Sequence, residues 1–164
     1  MKNIILFCLI SFVVGAAFKP VEKKFPSIQL KNLDGKSVDI SKTFSNNKLT
    51  VISYWATWCS PCKKELDAIK PLYQNWKKDG IEVIAISIDN VQQINKIKPM
   101  VKQKSWEYTV LSDVNSESLR VLNFQTVPQT FVVDSKGMIV YTHSGYTPGE
   151  EKDLEKKLQS LLAK

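Results

Sequence analysis

The chain has 164 residues, 43% of them hydrophobic and 24% charged, with only six glycines, seven prolines and three cysteines. That length supports one domain with its own core, without disulfide staples or a structural metal, and the composition excludes collagen-like, low-complexity and disulfide-scaffold classes. Aromatic residues spread along the chain exclude wholesale disorder. Lysines and arginines number 23 against 16 acidic residues, a formal charge of +7. All the basic residues except Arg120 are dispersed lysines, which reads as a solvated surface. No arginine cluster with interleaved aromatics is present, so nucleic acid is not expected as a partner. Weak attraction to an anionic membrane surface or an acidic partner stays open.

Residues 1–17 have the order of a secretory signal: Lys2, an apolar run from Ile4, then Gly15, Ala16 and Ala17 before a cut. As a helix the run Ile4–Phe18 spans only about 23 Å, short of the ~30 Å hydrocarbon core. A short membrane tether through residues 4–18 is the lesser alternative. Cys8 lies inside this run without small residues before it, so it is expected to leave with the signal. The mature chain would then be exported, to a periplasmic or other extracytoplasmic space, with two cysteines, Cys59 and Cys62, where disulfides persist.

Residues 18–26 (FKPVEKKFP) read as an exposed linker, and 27–164 as the domain. Ser27–Leu33 and Lys36–Ile40 flank Asp34-Gly35, a hairpin signal. Leu49–Trp55 is a β-branched and aromatic run, expected as a buried strand. From Pro61 to Asp79, Leu66, Ile69, Leu72, Tyr73 and Trp76 recur at helical spacing, and Gly80 ends the helix. Ile81–Ile88 is a second apolar strand. Asn90–Gln103 is expected to be helical, with Pro99 breaking or restarting it. A strand at Tyr108–Leu111 and a short helix at Ser116–Leu122 follow. Gln129–Val133 and Met138–His143 make a second hairpin. Thr147-Pro148-Gly149-Glu150 has the form of a capping box with proline at the first helical position, opening a last helix with Leu154, Leu158, Leu161 and Leu162 on one face. The sum is an α/β sheet of mixed direction with helices on both faces.

In open α/β sheets, sites lie beyond the carboxyl ends of strands. Here that place is Trp55-Ala56-Thr57-Trp58-Cys59-Ser60-Pro61-Cys62. Cys59 falls at the cap and Cys62 one turn inside, close enough for a disulfide. Free N–H groups and the helix dipole favour a thiolate at Cys59, but the dipole contributes about 0.3–2 kcal/mol, so more than about one pKa unit needs further help. Cys62, local N–H donors and Lys63 are the candidates. Zinc wants more ligands than two cysteines and His143, the only histidine. A copper-delivery module built from Cys59, Cys62 and His143 is a rival, although a strand-end histidine is expected to face solvent. C-x-x-C after a strand and opening a helix favours a redox dithiol.

VISYWATWCSPCKKEL, followed some sixty residues later by TVPQTFVVDSKG, resembles the thioredoxin superfamily, in particular its exported TlpA/ResA-like branch of thiol–disulfide oxidoreductases. The resemblance covers about residues 27–164, including the N-terminal hairpin and the inserted helix–strand near 91–111. It implies a thioredoxin-like fold whose central mixed sheet is flanked by helices. It also implies a cis Pro128 against the cysteine pair, Val127 pairing its backbone with a substrate chain, and Trp58 lining the groove. Trp55 is expected in the core. Glu65, three residues after Cys62, matches an acidic residue of that branch that manages protons at the dithiol; its bland reading is a solvated glutamate beside a lysine. The superfamily's buried aspartate is replaced by Ser53, so a proton shuttle must lie elsewhere. Its kinking proline is replaced by Asp67, with Pro71 one turn later.

The resemblance implies reduction of disulfides in exported proteins: Cys59 attacks and Cys62 resolves, with no cofactor beyond the Cys59–Cys62 pair. It also implies a membrane electron-donor protein as partner, a monomer, and apocytochrome c as a typical substrate in cytochrome c maturation. A disulfide oxidase running the chemistry backwards remains an alternative. A peroxiredoxin wants proline and threonine or serine where this chain has Ile52 and Ala56, and fails.

Overall fold

A computed structural model describes residues 23–163; the expected signal over 1–17 lies outside them. Two strands open the domain, β1 (Gln29–Asn32) and β2 (Ser37–Asp39), antiparallel with Leu30 opposite Val38. The loop between them is longer than a two-residue turn because Asn32 organises it. Its side-chain oxygen accepts from the Asp34 and Lys36 amides at 3.0 and 2.9 Å. Such an Asx-type bond lets the side chain stand in for a backbone turn.

β3 (Leu49–Trp55) is buried at every position, as its unbroken apolar run dictates. It leads into α1 (Ser60–Asp79), which Gly80 stops in the left-handed region at φ 87°. A Cβ there would lie 3.1 Å from Lys48 Cγ, so glycine suits both the backbone and the neighbour. β4 (Ile81–Ser87) follows, then a 3₁₀ turn at Ile94–Lys96 that runs into α2 (Ile97–Lys104). Pro99 sits in the first turn of α2, where its missing N–H breaks no helical bond, so it starts this helix rather than interrupting it. β5 (Thr109–Ser112), α3 (Glu117–Leu122), the hairpin β6 (Gln129–Asp134) and β7 (Ile139–Ser144), and α4 (Glu150–Leu162) complete the order.

The seven strands form one sheet in the order β2-β1-β5-β4-β3-β6-β7. β3, β4 and β5 run parallel, while β6 pairs antiparallel with β3 and the N-terminal hairpin pairs antiparallel with β5. Side chains alternate across the sheet and define two cores. On one face Val51, Trp55, Val83, Ala85 and Val132 pack under α1, α2 and α4 through Leu66, Ile69, Ile97, Leu154 and Leu158. On the other, Ile52, Tyr54, Ile84, Ile86 and Phe131 pack with Leu30, Ile40, Phe44 and Leu122.

Two local expectations differ. Phe25, expected in an exposed linker over 18–26, is only 2% exposed. Its ring meets Phe44 and Phe131 edge-on, and its amide donates to Gly137 O at 2.8 Å. An aromatic side chain beside an open β6–β7 turn gains more from burial than from solvation. The α4 capping box is half built: the Thr147 amide donates to Glu150 Oε2 at 2.7 Å, but the helix starts at Glu150 with Gly149 as its cap at φ 109°. Pro148 therefore stays outside the helix. Asp67, where the kinking proline is replaced, accepts from Lys104 Nζ at 2.6 Å and Trp106 Nε1 at 3.0 Å. It ties α1 to the end of α2.

Candidate active site

β3 and β6 run antiparallel with Tyr54 opposite Gln129, so the carboxyl end of β3 meets the entry to β6. That pairing, distant in sequence, carries Val127-Pro128 onto the turn between β3 and α1. The Val127–Pro128 bond is cis, as the resemblance implied. Cys59 Sγ lies 3.8 Å from the Val127 carbonyl oxygen. Cys59 is the N-cap of α1 in extended conformation, and its sulfur accepts from the Cys62 amide at 3.3 Å. A helix N-terminus has amides without helical partners, and the cap sulfur takes one.

Cys59 and Cys62 are joined by a disulfide, with Cα atoms 5.4 Å apart. Cys62 is fully buried and Cys59 is 4% exposed, whereas Trp58 beside it is 58% exposed. The rim at the outer sulfur thus includes the exposed Trp58, its neighbour in sequence, and Val127-Pro128, whose Val127 carbonyl faces it. Trp55 lies in the core, edge-on to Trp106 at 5.1 Å.

The turn before the cysteines is anchored from two sides, by Asp89, which the sequence does not single out, and by Lys63. Asp89, buried just past β4, accepts from the Thr57 amide and hydroxyl, both at 2.8 Å, and from Ser87 Oγ at 2.7 Å. Lys63 Nζ donates to the Thr57 carbonyl at 2.8 Å. Lys63, a candidate for stabilising the thiolate, is therefore committed to the loop. The sequence signal for Asp89 was a carboxylate directly following an unbroken apolar strand.

Glu65 is 3% exposed, which removes its reading as a solvated surface glutamate. It stands one turn beyond Cys62, near it on the helix surface. Ser53 Oγ donates to one carboxyl oxygen and Thr130 Oγ1 to the other, each at 2.8 Å. Burial pushes the Glu65 carboxyl above its ordinary value of 4.5, and the two hydroxyl donors oppose that rise. Ser53, noted as the place of the missing aspartate, holds an acid supplied by the facing helix. Ser53 and Thr130 were legible as polar residues inside buried strands, which need partners.

The copper set is not assembled: among the described residues no group of three His, Cys, Asp or Glu is placed to hold a metal ion. His143 is not the solvent-facing strand end of the sequence reading. It is half-buried, with Nε2 3.3 Å from Glu150 Oε2. Ile52 and Ala56, the positions a peroxiredoxin would fill with proline and a hydroxyl residue, are apolar and fully buried. No helix among the described residues is long and apolar enough to cross a membrane.

Known proteins resemble this chain in sequence and fold. Residues 21–142 match the AhpC/TSA family, and the chain belongs to that family. It is 28% identical over 141 residues to the thiol-disulfide oxidoreductase ResA of Bacillus thuringiensis subsp. konkukian (strain 97-27), covering 86% of this chain and 78% of that one. It is 26% identical over 153 residues to the sporulation thiol-disulfide oxidoreductase A of Bacillus subtilis (strain 168), covering 90% of each. An uncharacterized thioredoxin-like protein from Porphyromonas gingivalis, solved in solution, superposes with a TM-score of 0.74 at 42% identity, over 84% of this chain and 91% of the other. The fold is thioredoxin-like. With its Cys59–Cys62 disulfide, the molecule is a thiol–disulfide oxidoreductase of the ResA-like kind.

Proposed function

We propose that this protein works as a reductant of disulfides in exported proteins. Cys59, as thiolate, attacks one sulfur of a substrate disulfide, forming a mixed disulfide and releasing the other substrate sulfur as thiolate. Cys62 then gives its proton to Glu65 and attacks Cys59 Sγ; the second substrate thiolate leaves and the Cys59–Cys62 bond is restored. The Val127 carbonyl, beside Cys59 Sγ, pairs with the extended substrate backbone, the cis Pro128 shapes the rim, and Trp58 covers the substrate side chain next to its cysteine. A membrane electron-donor protein regenerates the dithiol in the extracytoplasmic space, and apocytochrome c is a fitting substrate.

The observation that carries the direction is the Glu65 carboxyl buried one turn behind Cys62. Strong oxidants of this chemistry owe their potential to a stabilised reduced form. A buried carboxylate near the thiols opposes thiolate formation by like-charge repulsion, and Lys63, the neighbouring cation, is spent on Thr57. Both effects favour the disulfide and make the dithiol a good donor. The test is the midpoint potential against glutathione, together with trapping by Cys62→Ser. A value near about −270 mV and a mixed disulfide that accumulates with a disulfide-bearing protein substrate support the reductase; a value near about −120 mV makes the protein an oxidase.

A further inference from the structure

A proton delivered to Glu65 either returns to Cys62 when the disulfide is next reduced or leaves for solvent, and the contacts of the carboxyl limit where it can leave. Ser53 and Thr130 occupy the two carboxyl oxygens, and the Cys59–Cys62 disulfide closes the cysteine end. On its remaining side Glu65 forms part of the wall of a cavity of about 210 Å³ between β7 and the start of α4. The cavity is bounded by Thr130 and His143 on the sheet and by Glu150 on α4. Its size suits several waters, and although Ile69 and Leu154 make part of the wall apolar, Glu65, Thr130, His143 and Glu150 offer polar partners.

The sheet register explains why these groups meet. Thr130 on β6 lies directly opposite His143 on β7, so the hydroxyl that holds Glu65 and the imidazole project from the same face as neighbours. His143 is stacked on Tyr141, two residues away on that face, with rings nearly parallel at 5°. Its Nε2 faces Glu150 Oε2 at 3.3 Å. Glu150 is itself fixed by the Thr147 amide, which holds it below the ordinary carboxylate range. The remaining titratable groups around the cavity are Tyr141 and Tyr146, with Glu151 and Asp153 from α4. Tyr146 donates to Glu151 at 2.8 Å, and Lys157 lies over the Tyr141 ring at 5.5 Å. Among the groups bounding the cavity, His143 alone is an imidazole, whose two ring nitrogens can accept a proton on one side and give one up on the other.

We propose that this cavity is the proton path of Glu65, with His143 and Glu150 as the relay pair between it and solvent. The inference rests on Glu65 as the base for Cys62. In the oxidising half-turn Cys62 loses its proton to the Glu65 carboxylate as its sulfur bonds to Cys59 Sγ. The proton then passes through cavity water to His143, steadied by Glu150, and on to bulk solvent, while the departing substrate thiolate is protonated from solvent. Electrons move only between sulfurs, and no further reactant is needed. His143 and Glu150 act on the sulfur chemistry through Glu65, as positioning residues for its proton.

The test follows oxidation of the reduced full chain by glutathione disulfide across neutral pH, using tryptophan fluorescence in a stopped-flow instrument. His143→Gln and Glu150→Gln should each slow the resolving step, His143→Gln by about tenfold, a modest share of what general acid–base assistance supplies. Added imidazole should restore the His143→Gln rate. In a Glu65→Gln background, the His143 substitution and imidazole should both be without effect, the non-additivity expected of one pathway. Unchanged rates and pH profile in both variants would overturn the relay, as would a loss that imidazole does not repair. A wild-type chain that fails to form the Cys59–Cys62 bond would instead count against the proposed function.

Discussion

Glu65 has an unusual position for a carboxyl: nearly sealed from water, without a cationic hydrogen-bond partner, and held by two hydroxyls. Hydroxyl donors stabilise the charged form less than a cation does, so desolvation dominates and the proton is held more tightly than in the unfolded chain. The sign for stability follows from linkage. Between the ordinary value of 4.5 and the raised native value, the folded state binds more protons than the unfolded one. Stability of the oxidised protein therefore falls as pH rises through that window. Urea midpoints measured against pH should show this decline in the wild type and lose it in Glu65→Gln. The same substitution should lower the titration of the reduced cysteines, because a nearby negative charge has been removed, and slow their exchange. A thiol titration identical to wild type would take Glu65 out of the dithiol chemistry.

At the scale of elements, the redox turn is positioned by its neighbours rather than by its own sequence. The segment between β3 and α1 is tied to the end of β4 through Asp89 and to the first turn of α1 through Lys63. Asp89→Ala would leave the buried Thr57 and Ser87 hydroxyls and the Thr57 amide short of their acceptor. Losing charged, buried hydrogen bonds of this kind costs about 2–3 kcal/mol. Denaturant unfolding of the oxidised chain should show that loss, and insulin reduction should slow because Cys59 and Trp58 are no longer fixed relative to Val127-Pro128. A variant with wild-type turnover would show that the turn holds its shape unaided. The lone histidine shows the same dependence on neighbours. Sequence placed it at a strand end, and the β6–β7 register together with α4 turned it toward Thr130 and Glu150.

For the molecule as a whole, both faces of the sheet are covered, and the cover on the face away from α1 begins before β1. Phe25 fills a place among Phe44 and Phe131, while Lys23 and Phe25 make backbone bonds to Ile139 and Gly137. Phe25→Ala should destabilise the protein by about 3–5 kcal/mol, as buried aromatic truncations do, and leave the midpoint potential unchanged. Thermal unfolding alongside redox titration would check both; a negligible loss of stability would return residues 23–26 to a linker.

Strand and helix identities were legible in the chain because hydrophobic periodicity and the Asp34-Gly35 and Gly80 signals are local properties. So was the chemistry: C-x-x-C between an apolar strand and an amphipathic helix places two sulfurs within bonding reach wherever it occurs. Burial of Glu65, the meeting of Cys59 with Val127, and the grouping of His143, Glu150 and Thr130 around one cavity were decided by tertiary structure alone. Each depends on β6 pairing antiparallel with β3, and on β7 and α4 folding back over that pair. Spacing along a chain specifies neighbours within one element; which polar groups share one cavity depends on elements that meet from far apart in sequence, as Glu65 and Glu150 do from 85 positions apart.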